Sequence, residues 1–164
     1  MKNDVLVSQD RIRGRLGDYV NKDIKIRAAS IGDAKEICEI CSEDLGYPCD
    51  LSLVKRKIEN KNDNREVIYV ALVDENVAGF IHVERYDVLY YETMGNILGL
   101  AVKAAYQHKG VGKRLIYAAE VWAVENKINV MRLNSGISRT MARDFYRHLG
   151  YDSEKEQIRF MKNL

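Results

Sequence analysis

The sequence has one proline, Pro48, and no apolar run that reaches the roughly 18–20 residues of a membrane-spanning helix. It also lacks repeats, low-complexity tracts and Pro/Gly-rich linkers, so the 164 residues are expected to form one domain. The segment 1–23 is the least interpretable, and we expect it to be an N-terminal extension without the apolar stretch of a secretion signal. Three cysteines, an odd number, suit a reducing compartment. We therefore expect a cytoplasmic protein with no membrane partner.

The sequence also lacks a large excess of charge of either sign. The chain has 26 basic and 24 acidic side chains, which gives a formal net charge of +2. Such a balance creates no overall field that would attract nucleic acid, and no long run of one charge occurs along the chain. We therefore expect no nucleic-acid partner. A local basic cluster at Lys109, Lys113 and Arg114 is more informative than the total.

Patterns typical of metal sites are missing as well. The three histidines, His82, His108 and His148, are scattered along the chain without metal-ligand spacing. Cys38 and Cys41 have CxxC spacing, but they lie on the apolar stripe of a predicted helix and no second ligand pair follows. We interpret both as core cysteines and expect no metal cofactor.

The order of predicted elements favours an α/β (α+β) fold with a central mixed sheet and flanking helices. Apolar alternation and apolar runs predict strands at 24–28, 65–73, 77–85, 96–102, 130–133 and 157–161. Helices are predicted after a capping box formed by Ser30 and Asp33, at 51–59, at 110–126 and from Ser138 to Leu149. Since the segment 96–102 is nearly all apolar, it is expected to be buried on both faces. The last helix should bury Met141, Phe145 and Leu149, with Gly150 at its C′ position.

The most specific segment is Leu98–Lys113, which combines an apolar strand, a short polar loop and two glycines that begin an amphipathic helix. The first N–H groups of a helix have no intrahelical partners, and the helix dipole adds partial positive charge there. Glycine also lets the backbone approach a ligand closely. These features predict an anion site, above all for phosphates. Two nucleotide motifs are excluded, because a Walker loop needs glycine at Gln107 and a dinucleotide fingerprint needs Gly or Ala at Leu115.

The run Gln107-His108-Lys109-Gly110-Val111-Gly112 matches the pyrophosphate loop of the GNAT superfamily of N-acetyltransferases, which reads Gln or Arg, two residues, Gly, one residue, Gly or Ala. Two further features follow in the family's order, namely Asn134 after the next strand and the pair Phe145-Tyr146 before Gly150-Tyr151. The chain resembles this superfamily from about Ile24 to its C-terminus. The resemblance implies a single N-acetyltransferase domain over 24–164, in which the parallel strands 96–102 and 130–134 splay apart.

The resemblance also implies a site. Acetyl-CoA would be the cosubstrate, and a neutral amine would attack its thioester directly. Tyr146 would protonate the leaving thiolate, and Glu84 and Glu92, on either side of Tyr86, Tyr90 and Tyr91, are the candidate general bases. The residues implied in cofactor binding are Leu100, Ala101, Val102, Gln107, His108, Lys109, Gly110, Val111, Gly112, Lys113 and Asn134.

Several alternatives remain open at this point. Asn134 could cap a loop instead of binding the cofactor, and the three tyrosines could form either an acceptor wall or a packed hairpin. The expected acceptor is a small-molecule amine such as an amino sugar, a polyamine or an amino acid derivative. A protein N-acetyltransferase and a non-catalytic sensor of acyl-CoA are the other interpretations. The oligomeric state stays open as well, and a homodimer is suggested only by analogy with the many dimeric relatives.

Overall fold

A computed structural model describes residues 23–152 and 155–164. The described residues form two compact units, one that ends at Leu133 and one that runs from Asn134 to Leu164. Apart from Asp23, the predicted N-terminal extension lies outside the described residues. No helix in the described ranges is long and apolar enough to cross a membrane.

The first unit contains a five-stranded mixed sheet whose strands follow one another in chain order. All neighbouring strands are antiparallel except the last two, β4 and β5, which are parallel. The strands are β1 (Ile24–Ala28), β2 (Glu66–Val73), β3 (Asn76–Val88), β4 (Tyr91–Val102) and β5 (Met131–Leu133). The helices of this unit are α1 (Ala34–Glu43), α2 (Leu51–Glu59) and α3 (Val111–Glu125). The predicted fold class is confirmed.

Local signals explain where several elements begin and end. At the start of α1, the Asp33 carboxylate accepts hydrogen bonds from the Ser30 N–H at 2.7 Å and from the Arg27 guanidinium. Asp50 caps α2 by accepting from two backbone N–H groups of its first turn. Asp74 and Glu75 both have positive φ, which gives the tight turn that pairs β2 with β3.

The two faces of the sheet are packed differently. Helices α1 and α2 cover one face through a core cluster that includes Ile37, Ile58, Val70, Phe80 and Ala101. On the other face α3 packs against β1 to β4 through its buried stripe. That stripe consists of Val111, Leu115, Ile116, Ala119, Trp122 and Ala123. The sequence spacing predicts a stripe of Val111, Leu115, Ala118, Ala119 and Trp122, so the structure adds Ile116 and Ala123 and leaves Ala118 half-buried.

The cysteines lie beside this core. Cys38, Cys41 and Cys49 are all free thiols of intermediate burial, and Cys41 packs against the α1–α2 cluster. Burial raises the pKa of Cys38 to about 11, with further contributions from Cys49. A thiol with a raised pKa is a poor nucleophile and a poor metal ligand at neutral pH.

The second unit contains one helix, α4 (Thr140–His148). The predicted start at Ser138 is wrong, because the N-cap is Arg139 and Ser138 contributes only its backbone carbonyl, to the Thr140 N–H at 3.0 Å. The predicted buried stripe is also wrong at Met141, which is 71% exposed. Gly150 has φ +89° and follows the C-cap Leu149, so its predicted C′ position is confirmed.

The predicted last strand at 157–161 is wrong as well. These residues have no strand assignment, and Ile158 and Phe160 are 82% and 89% exposed. An alternating pattern only marks a segment that fits a pleated surface, and a strand forms where a neighbour supplies the ladder of hydrogen bonds. No described strand supplies one here.

Candidate active site

At Leu98, β4 carries an extra residue relative to β3. His82 of β3 pairs with Gly99, while the next residue, Val83, pairs with Ile97, so Leu98 has no partner of its own on β3. A bulge of this kind bends its strand and disrupts the ladder locally. The bulge is not predictable from the sequence, because an apolar run without alternation does not show where the register shifts.

The parallel pairing of β4 with β5 ends at the same place. β5 pairs only with Gly95 to Ile97, and the next five residues of β4 continue without it. Within the described part of the chain, no strand lies on that side of 98–102. This part of β4 therefore presents an open row of backbone N–H and C=O groups, of the kind that an extended ligand can pair with.

The open edge explains one wrong expectation. Leu98 is 49% exposed, so the strand is not buried on both faces as its composition predicts. Leu100 and Val102 are half-buried and Ala101 is 7% exposed. These three residues, expected to bind the cofactor through their backbone, all lie on the part of β4 that pairs with β3 but not with β5.

A short loop connects this edge to α3 and is held by two hydrogen bonds. The Asp44 carboxylate, just after α1, accepts a hydrogen bond of 2.9 Å from the Ala104 N–H. The Gln107 amide donates to the Val102 carbonyl at 3.1 Å. The Lys109 ammonium lies over the Tyr106 ring, 5.6 Å from its centroid. The Gln107 side chain therefore fixes the loop to the end of β4.

The loop enters α3 through two residues with positive φ, His108 at +59° and Gly110 at +87°. Gly110 is the N-cap, and the first intrahelical bond runs from the Arg114 N–H to the Gly110 carbonyl. The N–H groups of Val111, Gly112 and Lys113 precede that bond and therefore have no helical acceptor. Backbone donors, the helix dipole and nearby lysines favour an anion at this end of α3, as the sequence predicts.

A row of polar side chains crosses the sheet before the bulge, and we call Glu66, Glu84, Asn96 and Arg132 the polar row. They are register partners on β2, β3, β4 and β5, so their side chains share one face. The Asn96 amide donates to Glu84 Oε1 at 2.9 Å and accepts from the Arg132 guanidinium at 2.9 Å. The guanidinium also lies 4.5 Å from the centre of the Tyr86 ring.

The first member of the row is paired differently. Glu66 Oε2 lies 2.7 Å from His82 Nε2. Burial tends to raise the pKa of Glu66, but the Asn62 N–H and His82 outweigh it, so the pKa is lowered. Glu66 is therefore engaged in an internal pair. Glu84 differs, because its second oxygen, Oε2, has no hydrogen-bond partner among the described residues.

The other candidate base, Glu92, lies near the β3–β4 turn, far along the sheet from the bulge. It is the second residue of β4 and is exposed, next to Tyr90 and Tyr91, which are 77% and 65% exposed. The rings of these two tyrosines contact each other edge to face at 5.2 Å. Tyr86 is half-buried against Arg132 instead, so the three tyrosines do not form one packed group.

In the second unit, Tyr146 is fixed by the end of its own helix. The Tyr151 N–H donates to the Tyr146 carbonyl and the Gly150 N–H to that of Arg147, which is a Schellman motif. The Tyr146 ring makes edge-to-face contacts with Phe145 at 5.3 Å and with Tyr151 at 5.8 Å. Burial raises the pKa of Tyr146, opposed by Arg139, so the phenol stays protonated at neutral pH. Asn134 is exposed and directly follows the last residue of β5.

Comparisons with known proteins identify relatives of this chain. The sequence model of the Acetyltransferase (GNAT) family matches residues 34–151. An uncharacterised N-acetyltransferase of Chlorobaculum tepidum is 30% identical over 138 residues, which cover 82% of this chain and 79% of that protein.

Solved structures show the same fold at low identity. A transcriptional regulator from Bacillus halodurans superposes with a TM-score of 0.76 at 24% identity and covers 85% of this chain and 99% of its own. An aminoglycoside N-acetyltransferase in complex with CoA superposes with a TM-score of 0.75 at 18% identity, over 86% of this chain and 95% of its own.

Proposed function

The chain belongs to the GNAT family of acetyltransferases, and from this premise we propose that it transfers the acetyl group of acetyl-CoA to a primary amine of a small molecule. It is an acetyl-CoA-dependent N-acetyltransferase. The finer statement, a small-molecule acceptor, is supported by the aminoglycoside acetyltransferase among its structural neighbours. Because that neighbour shares only 18% identity, it suggests a class of acceptor and no particular compound.

The observation that carries the proposal is the open edge of β4 beside the glycine-bounded start of α3. The backbone of Leu100–Val102 would pair with the extended pantetheine arm, as an added strand would. The N–H groups of Val111, Gly112 and Lys113 would hold the pyrophosphate, with Lys109 adding positive charge. His108 and Gly110 supply the left-handed turn that presents these groups, and Gln107 fixes the loop.

The reaction would proceed by direct attack of the neutral amine on the thioester carbonyl, which forms a C–N bond and then breaks the C–S bond. Positioning and a backbone donor on β4 that stabilises the oxyanion would supply most of the rate. Tyr146 would donate its proton to the departing thiolate, and a raised phenol pKa keeps that proton available. The roles of Tyr146 and Asn134, the latter as a cofactor ligand, rest on the sequence resemblance.

We assign the general base to Glu84 in preference to Glu92. Glu84 is half-buried and held by Asn96 through one oxygen, which leaves the other to accept the proton of the amine. Glu92 is exposed, and such carboxylates are usually solvated. We expect Glu84→Gln to lower kcat/KM for the acceptor by about tenfold or more, and Glu92→Gln to change it by less than about twofold. A larger loss of kcat/KM in Glu92→Gln than in Glu84→Gln would assign the general base to Glu92.

The proposal is tested by measuring CoA release from acetyl-CoA with aminoglycosides, polyamines, amino acids and peptides as acceptors. Selective release with one class of small amine supports it, with heat-inactivated protein as the control. Release with peptides alone would indicate a protein N-acetyltransferase. Binding of acetyl-CoA in calorimetry, without release for any acceptor, would contradict the enzyme and favour a sensor of acyl-CoA.

A further inference from the structure

Only two polar side chains are buried within the described ranges, Asp33 at 5% and Asn96 at 9% exposure. Asp33 has a structural explanation, because it joins Arg27 of β1 to the start of α1. Asn96 joins no helix and no loop. It lies on β4 between a carboxylate on β3 and a guanidinium on β5, so its amide spans three strands.

The chemistry of these neighbours determines how the Asn96 amide is oriented. A guanidinium can only donate hydrogen bonds, so the side-chain oxygen of Asn96 must face Arg132. The NH₂ group must then face Glu84, to which it can only donate. The Asn96 NH₂ group therefore donates a hydrogen bond to Glu84 Oε1. The amide cannot flip to accept a hydrogen bond from a protonated Glu84 carboxyl, because its oxygen is held by Arg132.

The amide also keeps two opposite charges apart. A direct pair between Arg132 and Glu84 would occupy the carboxylate in a bidentate contact, which guanidinium groups favour. With Asn96 between them, Arg132 is held by the amide oxygen and by the Tyr86 ring at 4.5 Å. Glu84 is oriented through Oε1 while Oε2 stays without a protein partner in the described part of the chain.

We propose that Asn96 is a positioning residue of the transfer reaction, which acts by holding Glu84 Oε1 so that Oε2 accepts the proton of the acceptor amine. The proposal rests on the proposed function, in which Glu84 is the general base. In this proposal Arg132 fixes the orientation of the Asn96 amide. Neither residue would touch the acceptor, and the effect of both would pass through Glu84.

The sharpest variant is Asn96→Asp. It keeps an oxygen acceptor for Arg132, so the link between β4 and β5 is retained, but it replaces the donor to Glu84 by a second carboxylate. We expect kcat/KM for the acceptor to fall by about tenfold or more, with KM for acetyl-CoA unchanged within about twofold. In a Glu84→Gln background the same substitution should have less than about a twofold effect, because its target is gone.

The matched control is Asp33→Asn, which alters the other buried polar side chain at a position outside the proposed site. It should lower the thermal midpoint and leave kcat/KM unchanged at temperatures where the variant is folded. If Asn96→Asp lowers kcat/KM by the same factor with and without Glu84, its role is structural and the inference is overturned. An unchanged kcat/KM in Asn96→Asp overturns it as well. A wild-type chain that acetylates no amine of the panel overturns the proposed function, and this inference with it.

Discussion

The left-handed turn before α3 allows a prediction whose magnitude follows from the backbone. Gly110 has φ +87°, and a Cβ added there would meet no atom within 4 Å. Alanine therefore brings no clash and only conformational strain, which costs roughly 1–2 kcal/mol for an L-residue in this region. Alanine also lowers the conformational entropy of the unfolded chain, which offsets roughly 0.4–1 kcal/mol of this cost. Gly110→Ala should thus be less stable by about 1 kcal/mol, a shift of about 2–4 °C in Tm for a chain of this size.

The same strain should weaken cofactor binding. If the free variant relaxes to negative φ at position 110, the N–H groups of the first turn of α3 rotate away from the phosphates. Binding must then restore the strained turn, so about 1 kcal/mol is lost from acetyl-CoA affinity, or about fivefold in KM. Steady-state kinetics at saturating acceptor measure this, with kcat expected to change little.

Gly46 provides the matched control, because it has φ +81° and equally open surroundings. Gly46→Ala should lose the same stability in thermal unfolding and keep its KM for acetyl-CoA. If the two variants are equally destabilised and Gly110→Ala still binds acetyl-CoA normally, the left-handed turn does not organise a phosphate site. An equal rise of KM in both variants would assign the effect to stability alone.

Three further predictions concern other parts of the chain. Tyr146→Phe should lower kcat by about tenfold or more without changing acetyl-CoA affinity in calorimetry, and an unchanged kcat would remove Tyr146 from the mechanism. Asp44→Ala removes the acceptor of the Ala104 N–H, so KM for acetyl-CoA should rise about threefold in steady-state kinetics with kcat retained, and an unchanged KM would mean that the loop keeps its shape unaided. The hydrogen-bonded guanidinium of Arg27 lowers the pKa of Asp33 from 3.8 to about 2. Because this pKa is lower in the folded state, its contribution of about 2 kcal/mol is present above pH 4 and lost as the pH falls from about 4 to 2. Denaturant unfolding should show this loss relative to Asp33→Asn, and a constant difference between the two proteins would contradict it.

Features that depend on a few neighbouring residues were predictable from the sequence. β1 and α2 have the predicted bounds, α3 begins directly after Gly110, and Gly150 ends α4. Each depends on alternation, capping or positive φ, which adjacent side chains determine. The strand predicted at 157–161 fails for the opposite reason, since a strand needs a partner that no local pattern specifies.

To predict the polar row, one must know which residues lie opposite each other on neighbouring strands, and the spacing of residues along the chain does not contain this information. Glu84 is predictable as a candidate base, whereas in the sequence Asn96 is only the first residue of an apolar run. Its importance depends on which residue of β4 lies opposite Glu84, and register across strands is a long-range property. The positive φ of His108 was equally hidden, because nothing in a Gln-His-Lys run requires it.

The bulge at Leu98 bears on two features of the candidate site, the contact between Asn96 and Glu84 and the open edge of β4. Counting back along β4 from Ala101, which pairs with Phe80, an unbroken ladder would place Ile97 opposite Glu84. The extra residue shifts the register by one, so that Asn96 takes that position and turns to the same face as Glu84. The same bulge coincides with the end of pairing to β5 and leaves the rest of β4 open for a ligand. Deleting Leu98 would leave Ile97 opposite Val83 and Asn96 opposite Glu84, now in an unbroken ladder, so such a chain should retain the contact between Asn96 and Glu84 and lose the bend of β4 at the bulge.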